Sequence, residues 1–296
     1  MLSLTLRPNR KIPCAKLGND VMNTGFDHFV EAKINYLDDM DIRPAFYATD
    51  YSRDNLKIKA ETLPIHDARR VKEHASLDRE GFVLKPHKSA VSNFRDQDEI
   101  SRHYLPEIQQ LMLEVTGAEH VIMSPRGVLR FGERSKDYGA GVNTRPARFV
   151  HVDYTGRSVP VLLDPLLDAT GFRMREGQRF IGFNVWRALS EPPQDIPLSV
   201  CDARTVAAED LVPADAIFDA PGAPEFSFEA YLVRYNPNHR WFYFPDMQLD
   251  EVLIFKAYDS DPAYPRRVPH VAFDDPGCPP EVPPRASIEV RGFAFF

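Results

Sequence analysis

The chain has 296 residues, a formal net charge of −7, 43% hydrophobic residues and 27% charged ones. These are ordinary globular values, so they exclude wholesale disorder and allow a full core without disulfide or metal staples. A mild acidic excess with no basic block excludes nucleic acid as the main partner, and no apolar run is long enough to cross a bilayer, the longest being of the kind Val252–Phe255.

At the N-terminus, Met1–Lys16 carries Arg7, Arg10, Lys11 and Lys16 without an acid. Pro8 and Pro13 break any amphipathic helix there, so a targeting segment is the minor expectation. Cys14, Cys201 and Cys278 are odd in number, far apart and free of any C-x-x-C pair. That fits a reducing compartment and a soluble, cytoplasmic protein, and excludes a disulfide scaffold or a Cys-rich zinc site.

The next element in chain order is a helix over Asp96–Thr116. Ile100, Tyr104, Ile108, Leu111, Met112 and Val115 recur at three- and four-residue steps, and Gly117 supplies the stop. Asp96 or Asp98 suits the cap, and Pro106 predicts a kinked or separate first turn.

Beyond about residue 145 the pattern changes to strands: 149–154, 179–186, 230–235, 240–244, 252–258, 268–273 and 288–295 are rich in β-branched and aromatic residues. Turns such as Asn236-Pro237-Asn238 separate them. Short strands with turn signals predict a mainly β fold with helical additions, a sandwich or jelly roll rather than βαβ units. The expected organisation is one domain over 1–296, with a mixed α/β part (1–145) packed on a jelly-roll core (146–296).

The chemistry gathers around His151-Val152-Asp153. On a strand, residues two apart share a face, so one imidazole and one carboxylate converge there, as two-thirds of a facial triad for non-haem Fe(II). His270, 117 residues after Asp153, is the natural second histidine. Three open positions would then take a bidentate 2-oxo acid and dioxygen. Fifteen residues beyond His270, Arg285 and Ser287 offer a forked cation and a hydroxyl from one face, suited to the far carboxylate of 2-oxoglutarate. Arg291 has the same parity and competes for that role.

Several segments carry a family resemblance. They are Asn184-Val-Trp186-Arg187, Cys201-Asp202-Ala-Arg204, His239-Arg-Trp241-Phe-Tyr243, Glu251-Val-Leu-Ile-Phe-Lys256, Pro269-His270-Val-Ala-Phe273 and Arg285-Ala-Ser-Ile-Glu-Val-Arg291. Lys33-Ile-Asn-Tyr36 and the stretch Thr116–Val121 extend the likeness upstream. Together they resemble the AsaB-type hydroxylase/desaturase family, which includes gibberellin desaturase-like proteins and the cephamycin methoxylation component CmcJ. The chain departs from that pattern at Arg187-Ala188, where Arg-Pro is expected.

The resemblance implies a double-stranded β-helix (jelly roll, cupin-like) and an Fe(II)- and 2-oxoglutarate-dependent oxygenase using dioxygen. It would hydroxylate, desaturate or cyclise a small molecule, an amino-acid-like one among the options, in specialised metabolism. Carried over by position, His151, Asp153 and His270 hold iron, and Arg285 with Ser287 anchors the co-substrate. The competing readings are a redox-inert cupin-like binding or accessory subunit and, last, a zinc hydrolase on the same ligands. A homodimer stays open.

Other residues have blander expectations beside their functional ones. Asn184, Trp186 and Arg187 bind substrate or form a structural network at a strand end. Trp186, Trp241 and Phe242 read as core. His239 reads as an exposed turn histidine, and Lys256 with Asp259 as a surface pair of little worth. Arg126, Arg130, Arg134, Arg145 and Arg148 could line the entrance for an acidic substrate but read better as a solvated loop. His66, His74, His87, His103 and His120 have no ligand spacing.

Overall fold

The computed structural model describes residues 28–71 and 75–296. The N-terminal stretch read for targeting, Cys14 and His74 lie outside them. In chain order the strands are β1 (Phe29–Leu37), β2 (Ala45–Tyr47), β3 (Ile58–Asp67), β4 (Phe82–Pro86), β5 (His120–Met123), β6 (Val128–Phe131), β7 (His151–Val152) and β8 (Phe180–Ala188). They continue with β9 (Leu198–Cys201), β10 (Leu211–Phe218), β11 (Phe226–Val233), β12 (Trp241–Tyr243), β13 (Glu251–Asp259), β14 (His270–Ala272) and β15 (Ala286–Phe295). They form a nine-stranded sheet in the order β1-β3-β12-β9-β14-β7-β11-β10-β2 and a six-stranded sheet, β4-β13-β8-β15-β5, with β6 also paired to β15. The two sheets make a jelly roll with few helices, the mainly β architecture expected. Strands from before residue 145 enter both sheets: β3 runs parallel to β12, and β4, β5 and β6 pair with β13 or β15.

The six-stranded sheet is covered on both faces, so its central strands are apolar almost throughout. Along β8, Ile181, Phe183 and Val185 point to one side, where Ile108 and Met112 of the helix Leu105–Thr116 complete a core with Val252, Ile254, Ile288 and Val290. The opposite parity, Trp186 and Ala188 with Leu253 and Phe255 of β13, meets Leu198, Val200 and Phe242 of the nine-stranded sheet. The register Ser287↔Ala188, Glu289↔Trp186 and Arg291↔Asn184 puts those six residues on the inner face. Polar groups therefore enter the space between the sheets from a strand that is otherwise core.

Asp96 caps the expected helix, accepting from the Asp98 and Glu99 backbones, and Gly117 ends it in a left-handed conformation at φ 68°. Its first part is not regular α-helix: Ile100–Tyr104 forms a wide π turn, and Pro106 follows in the first turn of Leu105–Thr116, where its missing N–H costs least. A second helix, Ser158–Thr170, was not legible because Pro160 and Pro165 interrupt its pattern. The Thr155 side chain caps its start, and Gly171 at φ 69° ends it.

Several bland expectations need correction. The expected strand 149–154 contracts to His151–Val152, because Asp153 already lies in a bend. The His239 side chain is fully buried, facing the Tyr36 hydroxyl at 3.1 Å and Asp210 at 3.1 Å. Lys256 and Asp259 do pair, at 2.8 Å, but with both side chains at 0% exposure and Arg179 joining them, so this is a core ion pair. Trp186, Trp241 and Phe242 are buried, as expected.

Candidate active site

His151 and His270 are direct partners across the antiparallel pair β7–β14, and their rings lie 4.2 Å apart between centroids. Asp153, just past the end of β7, turns its carboxylate to both: 3.9 Å to His151 Nε2 and 3.6 Å to His270 Nε2. One ligand atom from each of the three lies within 4.8 Å of the others, and all three residues are buried. The other ring nitrogens are already committed. His151 Nδ1 sits 3.0 Å from the Phe149 carbonyl and His270 Nδ1 3.1 Å from that of Val268. A carbonyl can only accept, so each Nδ1 carries a proton and each Nε2 is the ring nitrogen left to face the Asp153 side.

Electrostatics favour the same protonation. Burial, with His270 alongside, pushes His151 down to about 3, so it is a neutral imidazole near neutral pH. Burial would raise Asp153, but the Arg291 guanidinium and the Asn184 hydrogen bond favour the charged form and the carboxyl is held below its usual range. Asn184 donates to Asp153 Oδ2 at 2.6 Å and Arg291 Nη2 meets Oδ1 at 2.9 Å. Two imidazoles and one carboxylate, oriented by carbonyls and an amide, suit a divalent transition ion with sites to spare.

Beside the triad runs a narrow slot of about 10 Å³, the space of one water, walled by His151, His270, Trp186, Arg285 and Glu289. Arg285 is 1% exposed, and its guanidinium sits 5.8 Å from the Trp186 ring. Its Nη1 donates to the Ile196 carbonyl at 2.8 Å, while its buried Nε has no acceptor. Burial and the nearby Arg130 and Arg148 cations lower it to about 9. A buried guanidinium with an unmade hydrogen bond is fitted to a carboxylate. The Ser287 hydroxyl is 1% exposed and reaches the Arg130 carbonyl at 3.5 Å.

Arg291, the competing anchor, is directed elsewhere. Its donors go to Asp153 and to Glu289, 2.6 Å away. Arg187 departs from the grouping with Asn184 and Trp186. Its odd position on β8 sends it to the helix side, where it donates to the Tyr104 hydroxyl, the carbonyls of His87 and Leu249, and the His87 ring. His87 is thereby a structural partner.

A larger cavity of about 250 Å³ opens on the other side of His151 and Asp153. Phe46, Phe149, Phe218 and Phe228 make much of its wall, and Arg130, Arg145 and Arg148 also line it. The arginine cluster is thus divided: three members reach the cavity, while exposed Arg134 pairs with Asp195. Glu289 and the cavity aromatics were missed. Glu289 shares the parity of Arg285 and Arg291, which would have found it; Phe46, Phe218 and Phe228 come from β2, β10 and β11 and Phe149 from the bend before β7, and no local pattern joins them.

Comparisons with known proteins agree with this geometry. Residues 34–295 match the family described as "Oxidoreductase/YMDC permease-like domain". The Fe(II)/2-oxoglutarate-dependent dioxygenase nvfI of Aspergillus novofumigatus (strain IBT 16806) is 33% identical over 236 residues, covering 78% of this chain and 81% of the relative. The hydroxylase/desaturase efuI of Hormonema carpetanum is 31% identical over 257 residues, with 81% and 85% coverage. Among solved structures, an iron and alpha-ketoglutarate-dependent endoperoxidase NvfI superposes with a TM-score of 0.77 at 29% identity, covering 91% of this chain and 98% of that one.

Proposed function

The chain belongs to the hydroxylase/desaturase family of Fe(II)- and 2-oxoglutarate-dependent oxygenases, and from that premise we propose that His151, Asp153 and His270 hold the iron while Arg285 and Ser287 anchor the co-substrate. The reaction is oxidation of a small molecule by hydroxylation, desaturation or ring closure, in specialised metabolism. Bound together, Fe(II) and 2-oxoglutarate supply from dioxygen the oxidant that removes hydrogen from a substrate carbon, with succinate and carbon dioxide released.

The chain's own residues set the conditions for that chemistry. The Phe149 and Val268 carbonyls fix both imidazoles with Nε2 free. Asn184 and Arg291 hold the Asp153 carboxylate. Arg285 supplies the fork for the far carboxylate. The aromatic wall of the larger cavity keeps water from the reacting carbon. We take the described chain as one oxygenase domain, because strands from both halves share both sheets. Among the described residues no helix is long and apolar enough to cross a membrane, and the cysteine usage supports a cytoplasmic location.

The observation that carries this assignment is the convergence of two imidazoles and one carboxylate beside a buried, under-satisfied guanidinium. It disfavours the redox-inert accessory reading, which requires neither group. Anaerobic titration of the metal-free protein with Fe(II), then 2-oxoglutarate, tests it. A visible charge-transfer band is expected, and His151→Ala or His270→Ala should abolish both band and turnover with the circular dichroism unchanged. Full activity in both variants would remove them from the ligand set. No band and no retained iron in the parent protein would restore the accessory reading.

A further inference from the structure

Among the described residues, two arginines on the wall of the larger cavity, Arg130 and Arg145, form no ion pair. Arg148 is engaged by Glu133 and Asp274, and Arg291 by Asp153 and Glu289. Arg130 donates through one nitrogen to the Asn143 side chain and the Arg145 carbonyl, and sits near Glu289. Arg145 forms no ion pair among the described residues, and its buried Nε has no hydrogen-bond partner. The Asp54 carboxyl, on the same wall, feels the Arg145 charge but forms no ion pair with it, its acceptor capacity being turned to the Tyr47 backbone N–H at 2.7 Å.

What holds Arg145 in place is aromatic. Its guanidinium lies 4.2 Å from the Tyr51 ring centroid and 4.9 Å from that of Tyr138, contacts that orient a cation without cancelling its charge. The neighbouring loop is shaped around it as well. Gly139 has φ 69°, and a Cβ there would stand 3.0 Å from Arg145 Nε and 3.3 Å from Nη2. The guanidinium thus packs closely against Gly139, and it faces a cavity whose other walls are largely apolar.

Resting on the oxygenase reading above, we infer that the substrate is an apolar ring compound bearing an anionic oxygen group, a carboxylate or an ionised enol or phenol, and that Arg145 receives that anion. The apolar part lies along Phe46, Phe149, Phe218 and Phe228. The anion pairs with the guanidinium of Arg145 and thereby fixes which carbon faces the metal side of the cavity. Arg145 acts as a specificity-determining residue, separate from the Arg285 slot that takes the co-substrate.

The test uses aromatic acids of graded size, benzoate, 2-naphthoate and 1-pyrenebutyrate, each against its methyl ester. Binding is measured by calorimetry on the metal-free protein and on the anaerobic Fe(II)–2-oxoglutarate complex. At least one acid is expected to bind about tenfold or more tighter than its ester. Arg145→Met, which keeps the stem against the tyrosines, should erase that preference while leaving ester affinity and the melting temperature unchanged. Arg145→Lys should retain part of it.

No acid preferred over its ester, whether both bind or neither does, overturns the inference, as does a preference that survives Arg145→Met. Competition between the preferred acid and 2-oxoglutarate would reassign Arg145 to the co-substrate and also overturn it. The charge-transfer band recorded on the same samples separates the two questions. Its absence in the parent protein fails the oxygenase assignment, while acid preference in the metal-free protein is read independently.

Discussion

A guanidinium as deeply buried as that of Arg285 ordinarily sits against a carboxylate. Here it has one carbonyl and an aromatic ring, and the cost of that arrangement is visible in its depressed pKa. If 2-oxoglutarate completes the pairing, Arg285→Met should raise the KM for 2-oxoglutarate about tenfold to a hundredfold, with a smaller change in kcat. Arg285→Lys should fall between, since an ammonium cannot reproduce the fork. An unchanged KM in the Met variant would exclude Arg285 as the anchor. Asp54 gives a second prediction at this scale. Burial raises its carboxyl from 3.8 to about 6, so the folded state holds that proton more tightly than the unfolded chain. Its contribution to stability is therefore present below about 4 and lost as the pH rises through 6. Asp54→Asn should match the parent protein in melting temperature near pH 4 and exceed it near pH 7.5. A difference independent of pH would show that the carboxyl does not titrate in that window.

Strand parity decides more of the site than any motif does. On β15, Ser287, Glu289 and Arg291 face inward while Ile288 and Val290 enter the helix-side core, and β8 repeats the rule with Asn184 and Trp186 against Phe183 and Val185. That alternation was legible in advance for Arg285, Ser287 and Arg291, and it equally excluded Arg187 from the group in which it was placed. Apolar strands such as β13 could be read because both of their faces are covered. β3 could not: Pro64 interrupts it, and much of it is exposed along an outer part of the nine-stranded sheet. The helix Ser158–Thr170 was hidden by its prolines, which the local caps override. The tight approach of these strands gives a prediction too. A Cβ on Gly292 of β15 would stand 2.6 Å from the Ile122 carbonyl and 2.7 Å from the Phe183 ring, so backbone as well as side chain would have to give. Gly292→Ala should lower the unfolding free energy by about 1–3 kcal/mol, read from the denaturant midpoint at constant slope. A midpoint equal to the parent's would mean that β5 yields freely.

Across the whole molecule, the triad links parts of the chain that no local signal could bring together. The order of His151, Asp153, His270 and Arg285 was visible in the sequence, but not that His151 and His270 would be cross-strand partners in one sheet while Asn184 and Arg291 reach Asp153 from the other. An ion held by these three side chains would draw together β7, β14 and, through Asp153, the inner face of the six-stranded sheet. Ligand binding should therefore stabilise the fold as a unit. A metal at about a hundred times its Kd contributes about 2.7 kcal/mol, roughly 5 °C in melting temperature for a chain of this size. Mn(II), which avoids oxidation during heating, should produce that rise in the parent protein and none in His151→Ala. If the triad and Arg285 hold the two ends of 2-oxoglutarate between them, the co-substrate should give a second increment only after the metal. Arg285→Met should keep the first increment and lose most of the second. If 2-oxoglutarate stabilised the metal-free protein as strongly as the loaded one, the slot would bind the co-substrate independently of the triad, and the coupling between the two halves of the site would have to be abandoned.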